Sequence, residues 1–323
     1  MQKRINWKKG MRLTDEVLSA SDRCTDDAIA KALLLAAAGR FGLITSVHPF
    51  HLSMSIMKGF VDIEALSCLA ITRSGQIIDV EFDTKLTNPY ETRIQIPAQA
   101  EEKEYIVTVS RSANEWTDNS DGFKTPSVQF ALIGAKAAVP DNAMPIARIV
   151  NEDGWHEDSV NFVPPCLFLS SHSKFEELHA QFVSLLKSID EKTRQQAGGG
   201  AEKAISIYWP TVRQMLITAN TEHEEMTPVR LLSCVQQVIA AFTIGCEIDD
   251  VLTLEDAETF NNYSRVPYNY RIAYLRIKQG LGMCYAISEK IDKFSLLQKV
   301  EAPKVEQPKP KADTRKAWDG KSI

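Results

Sequence analysis

The spacing of apolar residues changes once along this chain, at the paired prolines Pro164-Pro165. Before this pair, apolar residues recur at every second position in short runs, which is typical of strands. After it, they recur at intervals of three and four residues, which is typical of amphipathic helices. Proline cannot donate a ladder hydrogen bond or continue a helix interior. We therefore place the seam between a strand-built and a helix-built part at Met144–Leu169.

The strand-built part contains several short alternating runs. Apolar residues alternate over Val61–Ala65 and then continue on the opposite phase over Leu66–Ala70, which indicates a β-bulge or a strand buried on both faces. Ser74-Gly75 is a turn signal. Further alternating runs lie at Ile77–Val80, Thr92–Ile96, Tyr105–Val109 and Val128–Leu132. Short strands without long helices between them predict an antiparallel sandwich or barrel.

The helix-built part contains four apolar stripes at helical spacing, which predict a bundle closed within one chain or completed by other copies. Thr227-Pro228 is a typical helix start. The stripes lie at Phe175–Ile189, Ile205–Ala219, Leu231–Phe242 and Tyr270–Phe294. One earlier helix is predicted from a Thr14 cap to Ala38, with Gly39 ending it and the polar stretch Asp22–Asp27 as a candidate interruption.

These signals predict an α+β chain with an antiparallel β-sandwich shell domain followed by an α-helical bundle. The expected divisions are an N-terminal segment and helix at 1–40, the shell at 41–165, the bundle or stalk at 166–300 and a tail at 301–323. The tail is rich in proline and lysine and has few apolar residues, so we expect it to be disordered and flexible.

Composition narrows the partners and the compartment. A net charge of −5 without basic stripes gives no reason to expect a nucleic-acid partner. The six cysteines form no CxxC pair, so we expect buried reduced thiols in the cytoplasm. The basic N-terminus lacks the apolar run of a signal peptide. The apolar stretch Ala32–Ala38 is far shorter than the about 20 residues that span a bilayer, so no direct membrane insertion is expected.

No pattern in the chain predicts a catalytic, cofactor-binding or metal site. His48 and His51 lack a third ligand close by, and His172 and His179 are expected to form a solvated or subunit-facing stripe. The triple glycine Gly198–Gly200 lacks the lysine of a phosphate loop. The acidic run Glu247–Glu258 lacks an EF-hand glycine and is interpreted as a solvated connection or a face for a basic partner.

Two tryptophans lie in segments too short and polar to bury them, and such residues commonly dock on a partner. Trp7 is expected to dock on its own sandwich or on a neighbouring molecule. Trp318 follows the tail linker, where an anchor on a partner and a merely disordered tail are the two alternatives.

The order of several motifs resembles that of the TssK family of type VI secretion baseplate proteins. Residues Ile5–Leu13 are similar to the family's opening W-x-x-G-M-x-L pattern, here with Trp7, Gly10, Met11 and Leu13. Further similarities lie at the Ser74-Gly75 turn, at Pro145–Ile149 with Asp158 and Phe162–Leu167, and at Thr227–Phe242. The family's polar run after the opening is Thr14–Val17 here, and only the tail follows the bundle where the family has a globular head. A divergent, short form is implied.

The resemblance implies a homotrimer that binds the TssF–TssG wedge, without catalytic activity or cofactor, in a cytoplasmic baseplate docked at the inner membrane. It further implies interface roles for Trp7, Gly10, Met11 and Leu13. Separately from the resemblance, the lone Trp318 after the linker predicts that the tail anchors on a partner, with a membrane-complex protein as the candidate. Two alternatives remain open. A phage-tail receptor-binding or adaptor protein with the same shell would lie among capsid genes, and an enzyme would need a polar pocket between the two parts.

Overall fold

A computed structural model describes residues 11–12, 14–44, 49–86, 90–97, 102–118, 124–196, 202–248 and 252–292. Within these residues, the N-terminal helix α1 (Asp15–Ala36) precedes nine strands, and five further helices follow them. The strands are β1 (Gly42–Leu43), β2 (His51–Met57), β3 (Phe60–Ile71), β4 (Ile77–Asp83), β5 (Arg93–Gln95), β6 (Glu104–Asp118), β7 (Lys124–Gly134), β8 (Ala143–Asn151) and β9 (Trp155–Glu157). The later helices are α2 (Ser173–Gln196), α3 (Glu202–Thr221), α4 (Pro228–Ile248), α5 (Leu254–Ser264) and α6 (Ala273–Ile291), with 3₁₀ turns at Leu169–Ser171 and Tyr270–Ile272.

The nine strands form two antiparallel sheets. In the first, β3 lies at the centre and pairs with β1, β2, β4 and β5; the second has the order β7-β6-β8-β9. Val61 and Ile63 of the first sheet share one buried cluster with Val107, Val109 and Met144 of the second. Alternating side chains from facing sheets therefore build the shell core, and the predicted α+β fold with antiparallel sheets ahead of helices is confirmed.

The phase slip in β3 is a β-bulge. Ser53 pairs with Ala65 and Met54 pairs with Ile63, so Glu64 is the extra residue that lies between them. Its carboxylate accepts a hydrogen bond from Ser53 Oγ at 3.1 Å. The bulge allows buried residues on both sides of it to face one core although their phase in the sequence changes.

Four helices close into a bundle within this chain, because α2 and α4 each pack on both α3 and α6. Fully buried aromatic side chains fill its interior, among them Phe182, Tyr208 and Phe242. Helix α4 is apolar and long enough to cross a membrane by length and composition, but 56% of the relevant window is buried among its neighbours. A core helix of a bundle meets the same criterion, and α4 occupies that position.

Helix α5 corrects the interpretation of Glu247–Glu258 as a solvated connection. Thr253 caps the helix by accepting the N–H of Asp256 at 3.2 Å. Ala257, Phe260 and Tyr263, three residues apart, are buried against the bundle. The acidic residues of the first turn hid this stripe, although carboxylates are favourable at a helix N-terminus.

The shell and the bundle share a continuous core through the seam. Strand β1 pairs with the seam itself, since the Leu43 N–H donates to Pro165 O at 2.7 Å and the Leu167 N–H donates to Leu43 O at 2.9 Å. The Leu169 N–H then donates to Met226 O at 2.8 Å, beside the start of α4. The paired prolines therefore end the sheet at a place where the backbone is tied to both parts.

Candidate interaction surfaces

Most of the residues predicted to form an interface lie outside the described residues. This holds for Trp7, Gly10, Leu13 and Trp318. Met11 is described, and 39% of it is exposed. It lies three residues before the cap of α1, so the predicted interface segment leads directly into that helix.

Helix α1 begins where the sequence predicts. Thr14 has an extended backbone and its Oγ1 accepts the N–H of Val17 at 3.4 Å. A hydrogen bond from the Thr14 side chain lowers the pKa of the Glu16 carboxyl, which suits a first turn. The helix runs through Asp22–Asp27 without a break, so the candidate interruption is wrong. Thr25 Oγ1 donates to Ser21 O at 3.1 Å, which satisfies this polar side chain within the helix.

The second half of α1 presents an uncovered apolar surface. Residues Ala28–Ala38 carry one charge, at Lys31. A helix that is apolar on all sides is normally buried. Here none of the described side chains from Glu16 to Ala36 is buried, and Ile29 and Leu35 are 45% and 83% exposed. The surface is therefore a candidate protein-binding face.

One side of α1 rests on the shell. Gly75, in the turn after β3, has a φ of +82°, and a Cβ there would run into the carbonyl oxygen of Ala30. Asp26 forms an ion pair with Arg111 of β6 at 3.0 Å. The predicted Ser74-Gly75 turn thus also provides the close approach that seats the helix, with its exposed side facing away from the shell.

An aromatic and arginine cluster fixes the shell against the bundle. The Arg73 guanidinium lies 4.6 Å from the ring centroid of Phe41 and 4.7 Å from that of Tyr270. The two rings meet edge to face at 5.1 Å. Phe41 and Arg73 belong to the shell, whereas Tyr270 precedes α6, so cation–π attraction joins the two parts.

Arg271 extends this cluster by donating to the carbonyl oxygens of Ala135 and Ala137, beyond the end of β7. Nearby, burial raises the pKa of the Tyr268 hydroxyl strongly. The sequence gives no periodic signal for this segment, because its side chains point to the shell rather than along one helix face. These contacts of Arg271 join the bundle to the shell.

A partly buried ion pair holds the seam on its other side. Arg148 of β8 pairs with Asp158, and the two side chains are only 14% and 11% exposed. Asp158 Oδ1 also accepts the N–H of Asn161 at 3.2 Å. Lys174 of α2 donates to Ser159 O. Breaking a buried pair leaves an uncompensated charge, so this part of the seam is expected to tolerate substitution poorly.

The histidines differ from the sequence interpretation. His179 is buried and its Nε2 lies 3.0 Å from Ala219 O, while its ring meets that of His223 edge to face at 4.8 Å. His172 precedes α2 and packs on Phe50. The solvated or subunit-facing stripe is therefore wrong, because His172 is outside the helix and His179 lies on its core face. His48 lies outside the described residues, and His51 is exposed.

These histidines predict acid sensitivity. Burial, with a smaller contribution from Lys174, lowers the pKa of His172 to about 4, and burial chiefly lowers that of His179. Between pH 6.5 and 4 the unfolded chain therefore binds protons that the folded chain does not, and the free energy of unfolding falls. Because His172 is partly exposed, its share of this fall in the free energy of unfolding should be about 2 kcal/mol.

Urea unfolding at pH 7.5, 6 and 5 measures this loss, with His172→Asn as the comparison. The variant should lose less stability than the wild type over this range. Equal losses in the two proteins would show that His172 does not cause the effect, since the carboxylates are the same in both.

The seam between the shell and the bundle contains a small cavity. Among the described residues, no group of three or more His, Cys, Asp or Glu is placed to hold a metal. A cavity of about 160 Å³ at the seam is lined by Phe50, Ser170–Ser173 and Glu176. Ligand pockets usually have about 300–1,000 Å³. Five of the six cysteines are buried, and Cys24 is half-buried.

Comparison with known proteins relates the fold to one group. No family model and no curated protein matches the sequence. Among solved structures, a crystal structure of TssK has a TM-score of 0.61 at 12% identity, over 89% of this chain and 69% of that chain. TssK from the EAEC type VI secretion system, in complex with a nanobody, has a TM-score of 0.57 at 12% identity, over 84% of this chain and 68% of that chain. A chain of a TssK–TssF–TssG baseplate subcomplex has a TM-score of 0.57 at 13% identity, over 90% of this chain and 99% of that chain. At this identity the likeness shows a TssK-like fold.

Proposed function

We propose that this chain is a non-catalytic structural adaptor of a type VI secretion baseplate, which trimerises and binds TssF and TssG. The supporting observation is the fold shared with a chain of the TssK–TssF–TssG subcomplex, over 90% of this chain. In this proposal, residues 1–40 and 41–165 bind the wedge of TssF and TssG. Residues 166–300 form the stalk, and residues 301–323 contact a membrane-complex protein through Trp318. The protein would then act in the cytoplasm, within a baseplate docked at the inner membrane.

Exposed apolar side chains on α3 and α4 support the trimer. Ile217 is 62% exposed, and Val229, Ile244 and Ile248 are 43%, 51% and 53% exposed. Because the core of the bundle is already closed within one chain, these side chains have no role in it. Three copies that meet along α3 and α4 would remove them from water.

The apolar surface of α1 supports a contact with the wedge. It lies on the helix that follows the segment of Trp7, Gly10, Met11 and Leu13 in the sequence, and it faces away from the shell that seats it. Large exposed apolar patches commonly mark protein interfaces. Aromatic and long aliphatic side chains carry much of the binding energy of such interfaces. We therefore assign the wedge contact to α1 and the segment before it.

Two acidic substitutions on α1 test this assignment. The double variant Ile29→Glu/Leu35→Glu should retain TssF and TssG at least tenfold less well in co-purification, about 1.4 kcal/mol or more. Leu86→Glu is the matched control, because Leu86 is 82% exposed elsewhere on the shell. Light scattering should give three times the chain mass of 36.1 kDa for the wild type, the double variant and the control variant.

Each part of the proposal can fail separately. A stable monomer at micromolar concentration would contradict the trimer. Unchanged retention by the double variant would contradict the role of α1 but leave the adaptor in place. A wild-type protein that retains neither TssF nor TssG would contradict the adaptor itself.

A further inference from the structure

A groove runs along the bundle between α5 and α6, with a volume of about 580 Å³. Its walls are mainly apolar. Phe260 and Tyr263 lie on the α5 side, and Met283 and Ala286 on the α6 side. Gly282 leaves its middle open, since a Cβ there would meet nothing within 4 Å. The groove is therefore wide enough to accept a large side chain.

Charges of opposite sign mark the two ends of the groove. Arg276 lies at the end near the shell, where its guanidinium donates to Gln279 Oε1 at 3.2 Å. Within the described residues no carboxylate forms an ion pair with it. Glu255 and Glu258 are exposed on α5, just before Thr259, where the groove lining of this helix begins. A matching ligand would carry positive charge, then an apolar group, then negative charge.

One segment of this chain has that order. Arg315 and Lys316 precede Trp318, and Asp319 follows it. The direction also fits. Lys290, in the last turn of α6, forms an ion pair with Asp256, in the first turn of α5, at 2.7 Å. A segment that returns from the end of α6 therefore passes Glu255 and Glu258 first and Arg276 last. Its basic residues would meet the acidic end, and its aspartate would meet the arginine.

We infer that the α5–α6 groove binds residues Arg315–Asp319 of the same chain, with Trp318 in the apolar middle and Asp319 paired with Arg276. In the free protein this contact keeps Trp318 covered. Any partner that binds Trp318 must then compete with the groove, which makes the contact an intramolecular regulator of the tail.

The connection is long enough for this contact. Residues 293–314, between the end of the described chain and Arg315, span at most about 70 Å when extended and roughly 25 Å as a flexible coil. Gly282 lies about 15 Å along α6 from its end. A connection of this kind gives an effective concentration near the millimolar range, so a contact that is weak between separate molecules still forms.

Fluorine NMR of the full chain labelled with 5-fluorotryptophan tests the inference. Comparison with Trp318→Phe assigns the Trp318 resonance, and a labelled peptide of residues 312–323 gives its free position. We expect the wild-type resonance to lie away from the free position. Gly282→Leu, which fills the groove, and Arg276→Gln should both shift it back toward that position.

Tyr285→Leu is the matched control, because it adds a leucine to the same helix at a residue that is 58% exposed and does not line the groove. It should leave the resonance unchanged. A wild-type resonance at the free position, or one that Gly282→Leu does not move, would overturn the inference. Neither result bears on TssF–TssG retention, which tests the proposed function separately.

Discussion

Replacing Gly42 by alanine should destabilise the protein by about 3 kcal/mol and loosen the seam. Gly42 has a φ of +135°, a conformation that side chains rarely adopt, and a Cβ there would lie 2.5 Å from the Pro165 carbonyl carbon and oxygen. Both contacts are with backbone that Leu43 binds by hydrogen bonds, so neither can move freely. Backbone strain and steric overlap each cost roughly 1–3 kcal/mol.

Gly59→Ala separates the two causes. Gly59 also has a positive φ, +80°, but a Cβ there would meet nothing within 4 Å. Its replacement should cost only the conformational strain, about 1–2 kcal/mol. Urea unfolding of the two variants measures the difference. Equal losses would mean that the seam accommodates the methyl group and that strain alone accounts for Gly42.

Local signals in the sequence predicted much of the fold because each has a local physical cause. The phase slip before Leu66 corresponds to the bulge at Glu64, since a period of two fixes which face a side chain takes. Thr14 and Thr227 cap helices where predicted, because a side-chain oxygen near a free N–H needs no distant partner.

Features that depend on distant residues were not predictable in this way. The cluster of Arg73 with Phe41 and Tyr270 joins residues about 200 positions apart, and no period in the sequence marks it. The sequence predicts a solvated or subunit-facing position for His179, whereas the Ala219 carbonyl oxygen on α3, 3.0 Å from its Nε2, makes its burial acceptable. Helix α5 does not stand out in the sequence, because three acidic residues near its start are mixed with its three buried side chains.

For the candidate interface, too, the sequence predicts the local motif but not the feature that depends on distant residues. The opening motif predicted a contact near residues 7–13, and the structure adds that the helix after it leaves Ile29 and Leu35 exposed. Sequence alone cannot distinguish this apolar stretch from a buried helix, because burial depends on what packs against it. An apolar helix without a covering element within the described chain is the structural feature that makes this surface a candidate for a protein partner.

Replacement by alanine should change the stability in opposite directions at two glycines of α6, Gly280 and Gly282. A Cβ at Gly280 would lie 2.5 Å from Val235 Cγ1 and overlap the Tyr263 hydroxyl. That hydroxyl donates to Arg276 O at 2.6 Å, so the Tyr263 ring is held in place. Gly280→Ala should therefore cost about 2 kcal/mol, although alanine favours a helix by about 1 kcal/mol over glycine.

Gly282→Ala places its methyl group in open space, so only the helix preference remains and stability should rise by about 0.5–1 kcal/mol. Thermal and urea unfolding of the two variants under one condition measure the difference of about 3 kcal/mol. Equal effects would mean that α5 is not packed tightly against α6 at Tyr263. If the signs differ as expected, α5 is an integral part of the bundle, and the groove beside Gly282 has a rigid wall to bind against.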